Sequence, residues 1–288
     1  MPHLVRIAAL TAGLTLLAGC TVFGPTPHIA DTSAIDSGRL PEPDLSLDIP
    51  GLGPCTDSPD RRVQLNASHP VTVMVHGCFG SAGRFRALSD VLAFHGQQNV
   101  CFSYDDRDSL EKSSAELARA LERLASSMPR SAINVIGHSQ GGLVSRRALI
   151  SERDDALTTD SPIRLVTVSA PFSGIRAARF CAYTWLRVAS LGLQDLACRA
   201  VSGDKWYEIT YASDLINQPG ELLPVVNDHL KIVTDERDSC RRRSAAGACL
   251  EDDHVFELAE QYQSAVDADR RVANVEIRAG HVEIVGNA

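Results

Sequence analysis

Ser139 sits in Gly137-His138-Ser139-Gln140-Gly141-Gly142, between the apolar run Ala132-Ile133-Asn134-Val135-Ile136 and a helix-like segment, residues 143–149. A serine between glycines on a sharp strand-to-helix turn is a nucleophile elbow, where the small neighbours let the chain turn so tightly that the hydroxyl stands clear of the sheet. Such a hydroxyl is a weak nucleophile at neutral pH. It needs a base within hydrogen-bond reach and a carboxylate that orients the base. On this kind of elbow the partners follow the serine in the order acid, then histidine. Asp214, a short turn beyond an expected strand at residues 207–211, is the candidate acid, with Asp235 and Glu236 after the next strand as alternatives. His281 follows the last expected strand through Ala279-Gly280 and is the candidate base. His229 precedes a strand and should fall at the opposite sheet edge, while His254, beside Asp252 and Asp253, reads as a solvated helix cap. A developing oxyanion needs two aimed backbone N–H groups. These are assigned to Gln140 and to Cys78 in the turn His76-Gly77-Cys78-Phe79-Gly80, with Phe79 as second choice.

To bring groups so far apart in sequence to one edge, the chain needs a sheet whose strands all end there. The sequence alternates accordingly, which predicts an α/β fold with a mostly parallel sheet and helices on both faces. Strands are expected at residues 71–75, 100–104, 132–136, 163–168, 207–211, 231–234 and 275–278. Helices are expected at 85–93, 113–126 and 255–268; in the second, Leu117, Leu121 and Leu124 recur at helical spacing. Residues 174–204 form an insertion rich in apolar side chains, among them Phe180, Trp185, Val188 and Leu191. Its place after a strand near the catalytic edge suits a small cap over an acyl pocket.

The N-terminus has a different character. Arg6, an apolar stretch at residues 7–17 and small residues before Cys20 read as an export signal, too short to span a bilayer. Leu17-Ala18-Gly19-Cys20 resembles the lipobox of bacterial lipoproteins, which implies removal of residues 1–19, lipidation of Cys20 and attachment to the cell envelope. Thr21 resembles a signal for outer-membrane sorting. Residues 20–54, rich in Pro, Gly, Ser, Asp and Thr, are expected to be a flexible tether, and residues 55–288 the folded domain. The eight cysteines suit an oxidising compartment. Cys181 with Cys198 and Cys240 with Cys249 are local couples, whereas Cys55, Cys78 and Cys101 leave one thiol over. No spacing suggests a metal site. A net charge of −8 with no basic block argues against nucleic acid as a partner.

Taken together, the motifs ending at Val75-His76-Gly77, Gly137-His138-Ser139-Gln140-Gly141-Gly142, Ala170-Pro171-Phe172-Ser173-Gly174, Tyr211-Ala212-Ser213-Asp214 and Ile277-Arg278-Ala279-Gly280-His281 resemble the α/β-hydrolase superfamily, in particular small bacterial lipases and esterases. The resemblance implies carboxylic-ester hydrolysis by Ser139, Asp214 and His281, an acyl-ester or lipid substrate, and no cofactor. It departs from the common pattern at Cys78 and in the arginine-rich insertion between Cys240 and Cys249. Thioester hydrolysis and acyl transfer use the same groups, and a noncatalytic envelope scaffold is the contrasting class.

Overall fold

The structure, a computed structural model, describes residues 39–286 of the 288-residue chain. The expected signal segment, Cys20 and the first part of the expected tether lie outside the described residues. The rest of that tether is corrected, because the chain is already built into the fold before Cys55. Strand β1 (Leu45–Leu47) and β2 (Leu52–Gly53) precede β3 (Val63–Leu65), and β1 pairs antiparallel with β3. Leu45, Leu47 and Ile49 recur every second residue and pack into the core with Leu52, a short strand pattern masked by the prolines and acids around it.

Beyond this the alternation predicted from the sequence takes shape. Strand β4 (Val71–Val75), helix α1 (Arg86–Phe94), strand β5 (Gln98–Phe102), helix α2 (Leu110–Ser127), strand β6 (Ile133–His138), helix α3 (Gln140–Ala148) and strand β7 (Ile163–Val168) follow in order. Helices α4 (Thr184–Ala189), α5 (Leu193–Ser202) and α6 (Asp214–Asn217) lead to strand β8 (Val226–Asp235). A hairpin of β9 (Cys240–Arg243) and β10 (Cys249–Asp252), then helix α7 (Ser264–Asp267), precede strand β11 (Val272–Arg278). The main sheet among the described residues has the order β11-β8-β7-β6-β4-β5-β2, parallel except for β2.

Side chains of alternate strand residues divide the core between two faces. Val71, Val73, Val75, Val100 and Val135 point to the face covered by α2, whose Leu117, Leu121 and Leu124 form one buried stripe. Ser109 caps that helix, its side chain accepting the Lys112 N–H at 3.1 Å. Met74, Cys101, Ile136 and Val166 face the other side with Phe85, Leu88, Leu92 and Val285. Helices therefore cover both faces, as expected.

Two elements differ from the sequence reading. Residues 207–211 form turns rather than a strand, with the Thr210 N–H donating to the Tyr207 carbonyl. Residues 255–268 hold a 3-10 turn (Leu258–Gln261) and the single turn of α7, separated by extended Tyr262. The insertion at 174–204 contains a 3-10 segment (Arg176–Ala182), α4 and α5. Disulfide Cys181–Cys198 ties the first to the last, and Arg187 bridges Asp195 between the helices at 2.9 Å. Cys240–Cys249 closes the β9–β10 hairpin, and Cys55–Cys101 resolves the remaining choice, leaving Cys78 outside the disulfides. Among the described residues no helix is long and apolar enough to cross a membrane.

Candidate active site

Ser139 is where β6 gives way to α3. Its backbone has φ 56° and ψ −126°, a region that costs a non-glycine residue roughly 1–3 kcal/mol. The conformation is held from both sides: the Ser139 N–H donates to the Val168 carbonyl at 2.8 Å, and the Ser139 carbonyl accepts from the Gly142 N–H at 2.9 Å. The strain thus sits in the serine, and neither Gly137 nor Gly141 has a positive φ. The glycines serve close approach instead. A Cβ on Gly141 would stand 2.2 Å from the Val75 carbonyl oxygen, so only glycine lets α3 start against the end of β4.

His281 arrives after β11, and it is buried beside the elbow. Its Nδ1–H donates to Glu236 Oε1 at 2.8 Å, which leaves Nε2 with its lone pair for a proton. Glu236, 1 % exposed just beyond β8, also accepts the Val255 and Phe256 N–H groups at 2.6 and 2.8 Å and the Thr234 hydroxyl at 3.0 Å. Four donors to one carboxylate fix its direction. The acid assignment is therefore corrected. Asp214 stands exposed at the first turn of α6, with Gln218 Nε2 donating to its carboxylate at 3.3 Å, and it is not the partner of His281. The error follows from the missing strand at 207–211: without it, the next carboxylates beyond a strand end are those after β8. Asp235, the other alternative, is taken by Arg237, which holds its carboxyl down to about 2.

Two further residues that sequence reasoning missed position His281. His138 Nε2–H donates to the His281 carbonyl at 2.8 Å, and the rings lie 4.8 Å apart. Burial, with His281 alongside, lowers the His138 pKa to about 3, so this imidazole is a neutral prop. Asp253 accepts the N–H groups of Val282 and Glu283 at 3.0 Å each, while its carbonyl takes the His281 N–H at 2.9 Å. Gly280 is required there, because a Cβ would come within 2.2 Å of Asp253 Oδ2. The other histidines are elsewhere. His229 lies inside β8, fully buried, with Nε2 at 2.9 Å from Thr167 Oγ1. His254 is on the surface near Glu257.

The assigned oxyanion donors belong to two loops. Gln140 opens α3, and Cys78 lies in the tight turn after β4, closed by the Gly80 N–H donating to the Gly77 carbonyl at 3.1 Å. Phe79 takes the left-handed position of that turn, φ 52°, and its N–H is committed to Asp106 Oδ2 at 2.8 Å. Phe79 is thereby removed as an oxyanion donor. Gly77 approaches Ser139 so closely that a Cβ would lie 2.7 Å from the serine Cβ. Among the described residues no group of three His, Cys, Asp or Glu is placed to hold a metal ion.

The model of the palmitoyl protein thioesterase family matches residues 70–233, more than half of the chain and from just before β4 through most of β8. The chain belongs to the palmitoyl protein thioesterase family. No curated protein matches it as a relative. Among solved structures it is similar to the mature form of the Bacillus licheniformis lipase BlEst2, at 17 % identity and a TM-score of 0.53, covering 83 % of this chain and 95 % of that one. The propeptide form of the same lipase gives 16 % and 0.51, with 83 % and 51 % covered. This family member therefore has the expected α/β-hydrolase fold, and at the level of class it is a hydrolase of esters.

Proposed function

We propose that the chain cleaves fatty-acyl esters and thioesters through Ser139, His281 and Glu236, with the backbone N–H groups of Gln140 and Cys78 receiving the oxyanion. The observation that carries this reading is the Glu236–His281 pair at 2.8 Å, delivered from the far end of the sequence to the side of a strained serine. In this mechanism His281 Nε2 takes the Ser139 proton as Oγ attacks the acyl carbon. The same imidazole then protonates the leaving alkoxide or thiolate, and water releases the acid from the acyl-enzyme. Glu236 keeps the imidazole in the tautomer that accepts at Nε2 and stabilises the imidazolium. The thioester part rests on the family the chain belongs to. In the same reading, residues 174–204 cap the acyl pocket, and Cys20 carries a lipid that holds the enzyme at the bacterial envelope, facing substrates of a bilayer.

A serine-directed fluorophosphonate, with matched oxygen-ester and thioester substrates of graded chain length, tests the chemistry. Labelling of the wild type and not of Ser139→Ala is expected, with turnover that rises with acyl length. A wild-type protein that neither labels nor turns over would favour a noncatalytic scaffold. Radioactive palmitate fed to expressing cells should be recovered on the purified wild-type protein and not on Cys20→Ala, the expected result for the anchor.

A further inference from the structure

Lys205 is 2 % exposed, just past the end of the insertion, and yet its ammonium lies among the residues assigned to the oxyanion site. Its Nζ donates to the Gln140 side-chain oxygen at 2.5 Å, to the Asp106 carbonyl, and toward Cys78 Sγ at 3.4 Å. Asp106 completes the connection. Its carbonyl also accepts from Gln140 Nε2 at 3.1 Å, and its carboxylate holds the Phe79 N–H next to Cys78 and lies 3.6 Å from Nζ. The donor after β4 and the donor after β6 are thus tied to one another through a single loop and one lysine. The following residues bind the same loop to the insertion: Arg107 donates to the carbonyls of Ala200 and Val201 at 2.9 and 3.0 Å, and its own carbonyl accepts the Asp204 N–H at 2.7 Å.

We infer that Lys205 is a positioning residue for the oxyanion site, coupling the seating of the 174–204 insertion to the distance between the Cys78 and Gln140 N–H groups; this rests on the reading of Ser139 as nucleophile. A buried ammonium is costly unless fully bonded. Here its donors are spent on the Gln140 amide oxygen, the Asp106 carbonyl in the loop between β5 and α2, and the Cys78 sulfur, so the lysine is satisfied only when these segments and the insertion are in register. It acts through Gln140 and Cys78 and touches neither Ser139 nor His281. The consequence is that the hole is set when the insertion is docked and loosened when it lifts.

The experiment compares Lys205→Met, Gln140→Leu, their double variant and Arg107→Ala, measuring kcat, KM, melting temperature and the inhibition constant of a trifluoromethyl ketone that mimics the tetrahedral adduct. Lys205→Met is expected to lower kcat roughly ten- to hundredfold, the scale of a displaced oxyanion donor, with KM within threefold. Ketone affinity should fall in proportion to kcat/KM. Gln140→Leu, which keeps its backbone N–H, should show the same pattern, and the double variant should lose no more than the worse single one. Arg107→Ala, which loosens the insertion without touching Gln140, is expected to lower kcat in the same direction as Lys205→Met but by less, with KM within threefold. Wild-type kcat and ketone binding in Lys205→Met would overturn the inference, as would additive losses in the double variant or wild-type kcat in Arg107→Ala. Should Lys205→Met not fold, Gln140→Leu decides alone, and wild-type kcat there overturns it. If the wild type itself fails to label with fluorophosphonate, it is the reading of Ser139 that fails.

Discussion

At the scale of single residues, the site depends on which carboxylate reaches which imidazole. Glu236→Gln preserves shape but presents an amide to His281, so kcat/KM on a soluble ester should fall by roughly two to four orders of magnitude. Asp214→Asn, on an exposed turn, should stay within twofold of the wild type in the same assay. The two outcomes reversed would restore the assignment made from sequence. Elsewhere, burial first, then the positive charges of Arg146 and Lys231, lower the pKa of His229 to about 3. Below pH ~6.5 the unfolded chain takes up a proton that folded His229 refuses, so stability is lost as pH falls from about 6.5 toward about 3. The slope from this one group approaches about 1.4 kcal/mol per pH unit. Urea unfolding between pH 7 and 5 should show a shallower decline for His229→Gln than for the wild type. Ser139, His281 and Gln140 could be nominated from sequence because their cues are local, a turn motif and the end of an apolar strand. Glu236 was a second choice, and Asp253, His138 and Lys205 were missed as positioning residues, since each works through contacts made across long stretches of chain.

At the scale of elements, legibility followed burial. Residues 71–75 and 163–168 were read with their observed bounds: the first is buried throughout and almost wholly apolar, and the second keeps Ile163, Leu165, Val166 and Val168 around an exposed Arg164 and a buried Thr167. The aromatic and β-branched residues of 207–211 carry the same β-propensity, but Gly203, with φ 80°, and the turn bonds that follow draw them into loops. In 255–268 the Glu257–Glu260 capping box closes one 3-10 turn, after which Tyr262 is extended, so a helical pattern of apolar residues did not yield one helix. Disulfides add a constraint of another kind. Cys55–Cys101 joins residues 46 apart, against 17 and 9 for the others. Chain entropy then assigns it the largest share of stability, about 4 kcal/mol against about 3 for Cys181–Cys198. Replacing each pair by serines should lower the melting temperature in that order, measured by differential scanning calorimetry.

At the scale of the molecule, the described surface is uneven. The insertion leaves Leu191 94 %, Val188 73 % and Trp185 67 % exposed, although lone exposed apolar residues are ordinary and clusters are not. Having little burial to lose, Leu191→Ser and Val188→Ser should change unfolding free energy by no more than about 0.5 kcal/mol. The overall architecture was legible from alternation and from the elbow, whereas the extent of the folded body was not, because Leu45 to Leu52 are hidden among prolines and acids. That early segment has one more effect. With Cys55 bonded to Cys101 across the β2–β5 edge, a protease that cuts the exposed stretch near Ser58 severs the backbone without parting the molecule. The nicked protein should run as a single species on a denaturing gel without reductant and split into two bands once dithiothreitol is added.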